Sequence, residues 1–521
     1  MSLELIKEEW NGAESKETAQ TRLPVKEDIL LPDGKPDIAR VFQTELSPCI
    51  EESVLENGRL SVSGKLWVDI LYLAEGTPWT VHSMRTQVPL EAVFETESQE
   101  DTAAPVCTFQ SNVEDLRVIL RSGRKLNLSA MLELSADIVS NQKISMISAV
   151  EGEENLQVLE TNRMISHKIA ESREKLIVKE ELKIPERVGN ISELLWWDAF
   201  LCSKEVQLMT DQAMVRGELE ISVLYTSEEG DAEVHCLQQR IPFSGMMDGN
   251  GIMPGMKCEL ILQPEKPSVR IGPDDDGELR VFDTETLCDC VVRVYEEKEQ
   301  KWIRDLYMPS QKTQCEVQEA QISEPMRMDT VSFRADADLE IPESLPDPVQ
   351  VFYASAAAHV DDVLLEEGML QVEGVLHLAV FYQAAAENGG VCAFGAEVPF
   401  QHSLNLGGDP DTRVRCRVLV QSVDASWQGG HKIRTNVQCQ LEVTAARVQN
   451  VQVLQEVSLE PMNAEELSRI PSMALYVVQP GDTLWNVAKQ FNTTPDQIML
   501  YNEITEGEDL PEGKCFVMVK A

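Results

Sequence analysis

LSVSGKLWVDILY (residues 60–72), AMVRGELEISVLY (213–225) and LQVEGVLHLAVFY (370–382) are three versions of one pattern. Leu60, Val62, Gly64, Leu66, Val68, Ile70 and Tyr72 alternate with the residues between them, and the other two stretches repeat the scheme. Strict period two over thirteen residues marks a long β-strand with one buried face. A glycine on the inward side of so long a strand, here Gly64, Gly217 or Gly374, implies a bend or bulge, or a close approach by neighbouring backbone.

The surrounding landmarks keep the same register. A proline after an apolar residue stands 32 residues before each glycine, at Pro32, Pro185 and Pro342. Counted from those prolines, Tyr72, Tyr225 and Tyr382 fall 40 residues on, and Pro89, Pro242 and Pro399 fall 57 on. Turn signals after each tyrosine (AEGT, SEEGD, ENGG) introduce a second apolar run, which reads as a hairpin. A further hairpin recurs around RSGRK (121–125), GPDDDGE (272–278) and WQGGHK (427–432). The expectation is a mainly β chain: three repeated domains of sandwich or open-barrel type, at 1–160, 161–325 and 326–460.

After a linker at 461–474 the pattern changes to YVVQPGDTLWNVAKQFNTTPDQIMLYNEITEGEDLPEGKCFVMV, residues 476–519. Tyr476 to Gln479 suit a short strand, and Asp482 suits an N-cap for a helix with Leu484, Val487, Ala488 and Phe491 on one side. Thr494 and Pro495 open a second helix, and Gly513 turns into a closing strand from Cys515 to Val519. The module at 475–521 is therefore a small βααβ unit.

Across the 521 residues, 45 Lys and Arg face 88 Asp and Glu, a formal charge of −43. That balance disfavours nucleic acid and anionic membrane surfaces as main partners, since both need clustered cations. The opening MSLELIKEEWNGAESKE lacks the apolar run of a secretory signal, and no stretch is long enough for a membrane span, so a soluble protein outside the general secretory route is expected. The 12 cysteines contain no C-x-x-C pair and suit reduced thiols.

Catalytic and metal constellations are missing from the sequence. The seven histidines stand apart, and no H-E-x-x-H, G-x-S-x-G or Walker-type loop occurs. The acidic run Asp274 to Glu278 falls at a hairpin turn and lacks calcium-loop spacing. Cys107, Cys258 and Cys416 recur at similar places in the repeats, as a shared core position would. No cofactor, metal or enzymatic activity is expected.

The Y-x-V-x-x-G-D-T-L-W core, present as Tyr476, Val478, Gly481, Asp482, Thr483, Leu484 and Trp485, closely resembles a LysM domain. In glycan-binding members, N-acetylglucosamine sugars lie between the loop after the first strand and the loop before the last. That resemblance implicates Gly481, Asp482, Thr483 and Leu484 on one wall and Asn502 and Ile504 on the other. Capping, core packing and helix ending account for several of these residues without a ligand. The second loop holds Glu503, Glu506, Glu508, Asp509 and Glu512, a charge that a neutral sugar does not need and anionic wall polymers would oppose. A protein partner with a basic face fits it better.

The three β units, with their I-P, L-x-V-x-G-x-L-x-V-x-V-x-Y and V-P-F landmarks, look like SPOCS domains, the spore coat assembly module of endospore-forming bacteria. Followed by one LysM module, they resemble the SipL-like family of spore coat morphogenetic proteins. The resemblance implies a scaffold made in the mother cell that works at the forespore surface. It also implies a LysM module that binds the coat basement-layer ATPase, with other coat proteins as further partners and at most weak peptidoglycan binding. The competing expectation is a wall-associated glycan binder whose β units are spacers; such a protein would show an export signal, several LysM copies or a hydrolase domain.

Overall fold

The computed structural model describes residues 4–76, 80–96, 107–151, 155–228, 233–385, 390–407, 411–463, 471–505 and 510–520. Each alternating stretch is the centre of a three-stranded antiparallel sheet. In the first repeat β2 (Ile38–Glu56), β3 (Arg59–Ala74) and β4 (Val81–Glu95) lie in that order. A second sheet joins β1 (Glu4–Leu30), β6 (Lys125–Glu151) and β5 (Cys107–Ser122). The inward residues Leu60, Val62, Leu66, Val68, Ile70 and Tyr72 are buried, and they pack with Leu126, Leu128, Leu132 and Leu134 of β6 to form the core between the sheets.

The second repeat follows the same plan. Its strands are β7 (Gln157–Lys183), β8 (Ile191–Met209), β9 (Gln212–Ser227), β10 (Val234–Asp248), β11 (Lys257–Pro264), β12 (Ser268–Pro273) and β13 (Leu279–Tyr307). The third comprises β14 (Gln311–Ser323), β15 (Arg327–Glu340), β16 (Pro348–Glu366), β17 (Met369–Ala384), β18 (Val391–Asn405), β19 (Thr412–Gly429) and β20 (Lys432–Pro461). Here the opening strand is split in two. Pro325 lies in the break and has no N–H to give a ladder, so the chain resumes pairing with β20 only at Arg327.

The landmarks have local causes. The carbonyls of Pro32, Pro185 and Pro342 accept hydrogen bonds from Lys35 (3.3 Å), Val188 (3.0 Å) and Leu345 (2.8 Å), closing the same turn three times. Tyr72 and Tyr382 donate their hydroxyls to the carbonyls of Pro36 (3.3 Å) and Pro346 (2.9 Å), which ties that turn to the centre strand. Pro89, Pro242 and Pro399 sit on β4, β10 and β18, outer strands where a missing N–H breaks no ladder. The glycines answer to the second expectation, a close approach by neighbouring backbone, rather than to a bulge in their own strand. The pairing slips at Ile50/Glu52 opposite Gly64, at Leu201/Ser203 beside Gly217 and at Val360/Asp362 opposite Gly374, so each bulge lies in the neighbouring strand and pushes backbone toward the glycine.

One expectation needs correction, because the centre strands are buried on both faces near their ends. Leu71, Leu224 and Phe381 precede the three tyrosines on the supposedly polar side, yet all are buried. They meet Leu73, Val81, Leu195, Trp196, Tyr353, Val391 and Ala393 in one cluster drawn from all three repeats. Around it β4 packs on β8, β10 on β16 and β18 back on β2, so the repeats close into a ring with approximate threefold symmetry. The residues that flank the recurring cysteines also converge: Arg417 donates to the Thr108 hydroxyl (3.4 Å), while Arg415 pairs with Glu259 (3.3 Å). Burial alone would raise the Glu259 carboxyl, but Arg415, Arg293 and Arg417 hold it below its ordinary value.

The long strands continue out of the ring as three two-stranded ribbons. Glu4–Thr18 pair with Asp137–Glu151, Gln157–Lys168 with Tyr295–Tyr307, and β14 with the end of β20. Trp10, Ile144, Met146, Ile165, Trp302, Ala320, Ile322 and Val453 fill the space among the ribbons and make a stem.

Candidate functional site

The C-terminal module stands on the tip of this stem. Its strands β21 (Met473–Val477) and β22 (Cys515–Val519) pair antiparallel, with helices α1 (Leu484–Gln490) and α2 (Pro495–Asn502) between them. The first strand begins and ends earlier than the sequence pattern suggests. Thr494 caps α2 as expected, accepting from the Gln497 N–H at 3.2 Å. At α1 the cap is Thr483, whose hydroxyl accepts from the Asn486 N–H at 3.2 Å. Asp482 instead accepts from the Tyr476 hydroxyl and the Gln479 N–H, both at 2.7 Å, and so pins the loop to the strand. That bond raises the Tyr476 hydroxyl's pKa, because losing the proton would leave two anions in contact.

The two presumed walls differ in character. Gly481 has φ +86° and open space at its α-carbon, and Gly481 and Thr483 are exposed. Leu484 and Ile504 are half-buried against the module's core. Asn502 is structural: its amide donates to the carbonyls of Ile498 (2.8 Å) and Val517 (2.9 Å) and accepts from the Val517 N–H (2.7 Å). It thereby occupies the free edge of β22 as a strand would. Glu503 ends α2 in the left-handed region (φ 55°) and is exposed, as is Glu512; Glu506, Glu508 and Asp509 lie outside the described residues.

A further set of contacts went unread in the sequence. Trp485 donates its indole N–H to Asp305 of the stem at 2.8 Å, and the Lys489 ammonium pairs with the same carboxylate at 2.6 Å. Tyr307 sets its ring edge-on to Trp485 at 4.9 Å and donates its hydroxyl to the Thr493 carbonyl at 2.8 Å. It belongs to the module's own core, beside Val487, Ala488, Ile498 and Phe516. The stem thus takes up the α1 side, while Gly481, Thr483 and Glu503 remain exposed.

Comparison with known families finds two kinds of domain in the chain. The SipL SPOCS-domain model matches residues 37–120, 190–271 and 347–428, and the LysM model matches 476–514. The chain carries three SPOCS domains and one LysM domain. Each SPOCS match begins just after the first turn of a repeat and runs into β5, β12 or β19, leaving β1, β6, β7, β13, β14, β15 and β20 outside. No curated protein and no solved structure matches the chain. The domain combination marks a spore-coat-related protein, LysM is a peptidoglycan-binding type of domain, and both domain types are non-catalytic. Among the described residues no helix is long and apolar enough to cross a membrane.

Proposed function

We propose that this chain is a non-enzymatic adaptor of spore coat assembly, acting from the mother-cell side of the forespore surface. The LysM groove docks onto a coat basement-layer protein, the morphogenetic ATPase of that layer, and the SPOCS ring and stem form the scaffold that other coat proteins join. One observation supports this most: the LysM module is anchored through Trp485 and Lys489 while its acidic wall, with Glu503 and Glu512, is left exposed. An exposed acidic wall suits a basic protein face.

The second reading, binding of N-acetylglucosamine glycans, draws its support from the LysM match itself. Full-length protein offered both the purified basement-layer ATPase and cortex peptidoglycan separates the two. Glu503→Lys, Glu506→Lys, Glu508→Lys, Asp509→Lys and Glu512→Lys together should weaken ATPase binding by about tenfold or more. Unchanged ATPase binding, or retention on the glycan alone, would overturn the adaptor reading.

A further inference from the structure

Between the domains of the SPOCS ring lies an open cavity of about 2650 Å³ lined by all three repeats. Pockets for small ligands run to roughly 300–1,000 Å³, so this space is built for something larger. Its walls are unusual in kind. Every residue from Gln43 to Val54 in β2 borders it, as do Phe109–Glu114 in β5, Ser355–Asp361 in β16 and Val414–Val420 in β19. Successive side chains of a strand point to opposite faces, so an unbroken run of lining residues means that the strand presents its edge.

Those edges are free. Among the described residues, β2 is hydrogen-bonded only to β3, and β5 only to β6. In the third SPOCS domain the equivalent strands β16 and β19 lie closely against each other, whereas β2 and β5 of the first domain meet only briefly. β5 also bulges between Glu114 and Arg117, with Asp115 at φ 52°. Unpaired strand edges are templates for another strand, and folded proteins normally cover them. Here the first domain's seam stays open onto the cavity.

The charge of the lining selects among strands. Among the described residues it holds eight Lys and Arg against twelve Asp and Glu. Seven of the eight cations are already engaged in ion pairs, such as Arg173 with Asp289 and Lys175 with Glu265. Glu52 and Glu174 are exposed in the cavity, and neither forms an ion pair among the described residues. We propose that the cavity is a strand-addition site, in which an extended, cation-rich segment of a partner protein pairs with the free edges of β2 and β5. Main-chain hydrogen bonds supply the affinity, and the unpaired carboxylates supply the preference for lysine and arginine.

The test uses full-length protein and a fluorescent peptide of roughly ten residues alternating Lys and Val. Binding should be saturable, weaken with salt, and slow amide exchange at 43–54 and 109–114. Glu52→Lys with Glu174→Lys should weaken it about tenfold without altering the far-UV circular dichroism. The five-lysine LysM variant described above should bind the peptide normally, so this site and the LysM groove succeed or fail separately. No saturable binding up to about 1 mM would overturn the proposal. So would protection elsewhere, or equal protection of the same strands by a Glu-Val peptide or a chitin oligomer.

Discussion

At Gly64 a side chain would have nowhere to go. A β-carbon there would lie 2.1 Å from the Cys49 carbonyl oxygen, and at Gly374 it would lie 2.1 Å from the His359 oxygen. At Gly217 the nearest atom is the tip of the Phe243 ring at 2.5 Å, with backbone, the Ser203 oxygen, at 2.9 Å. A ring can swing aside, whereas a hydrogen-bonded strand cannot. Gly64→Ala should therefore cost about 2–4 kcal/mol in denaturant unfolding, and Gly217→Ala distinctly less. Equal costs at the two sites would mean that backbone crowding is not what fixes the glycine. The alternation around these residues was plain in the sequence, and so was the need for glycine. Leu71, Leu224 and Phe381 were also in view as apolar residues on the polar side. Their meaning was hidden because each repeat contributes only one of them, and a single misplaced apolar residue is ordinary on a protein surface.

Among the elements, the contact between α1 and the stem strand β13 decides how the LysM module is held. Asp305 alone accepts both the Trp485 indole and the Lys489 ammonium. Asp305→Ala strips both donors of their partner, and amide exchange across Leu484–Gln490 should speed up by about tenfold. Unchanged exchange there would show that Tyr307 suffices. Because Tyr307 completes the module's core, a fragment holding the LysM residues alone lacks one of its own packing partners. The βααβ order was legible from caps and periodicity. The N-cap shifted from Asp482 to Thr483 because both are good caps and one residue apart, and the Tyr476 hydroxyl and Gln479 N–H that engage Asp482 decide between them. Asp305 and Tyr307 lie some 180 residues away from their LysM partners, beyond the reach of any local pattern.

For the whole molecule, the ring depends on a cluster to which every SPOCS domain contributes. Phe381 is fully buried there and packs on Trp196 of the neighbouring domain at 5.2 Å and on Tyr353 at 5.9 Å. Phe381→Ala should cost about 3–5 kcal/mol and split one calorimetric transition into several, as the domains lose their common contact. A single transition moved to lower temperature would mean that the stem, not the ring, couples the domains. Three repeats were countable in the sequence, but their closure into a ring was not, since symmetry between domains leaves no spacing signal along the chain.

The path of the chain through the stem also bears on how the protein responds to a pull. The LysM module is linked covalently to β20 of the third SPOCS domain but rests on β13 of the second. Tension applied to it is therefore shared by two domains. Ladder bonds in an antiparallel ribbon lie across the strands, so a pull along β20 loads many of them together in shear instead of opening them one at a time. A layer tethered through this module would be held by a joint built to bear force along the stem.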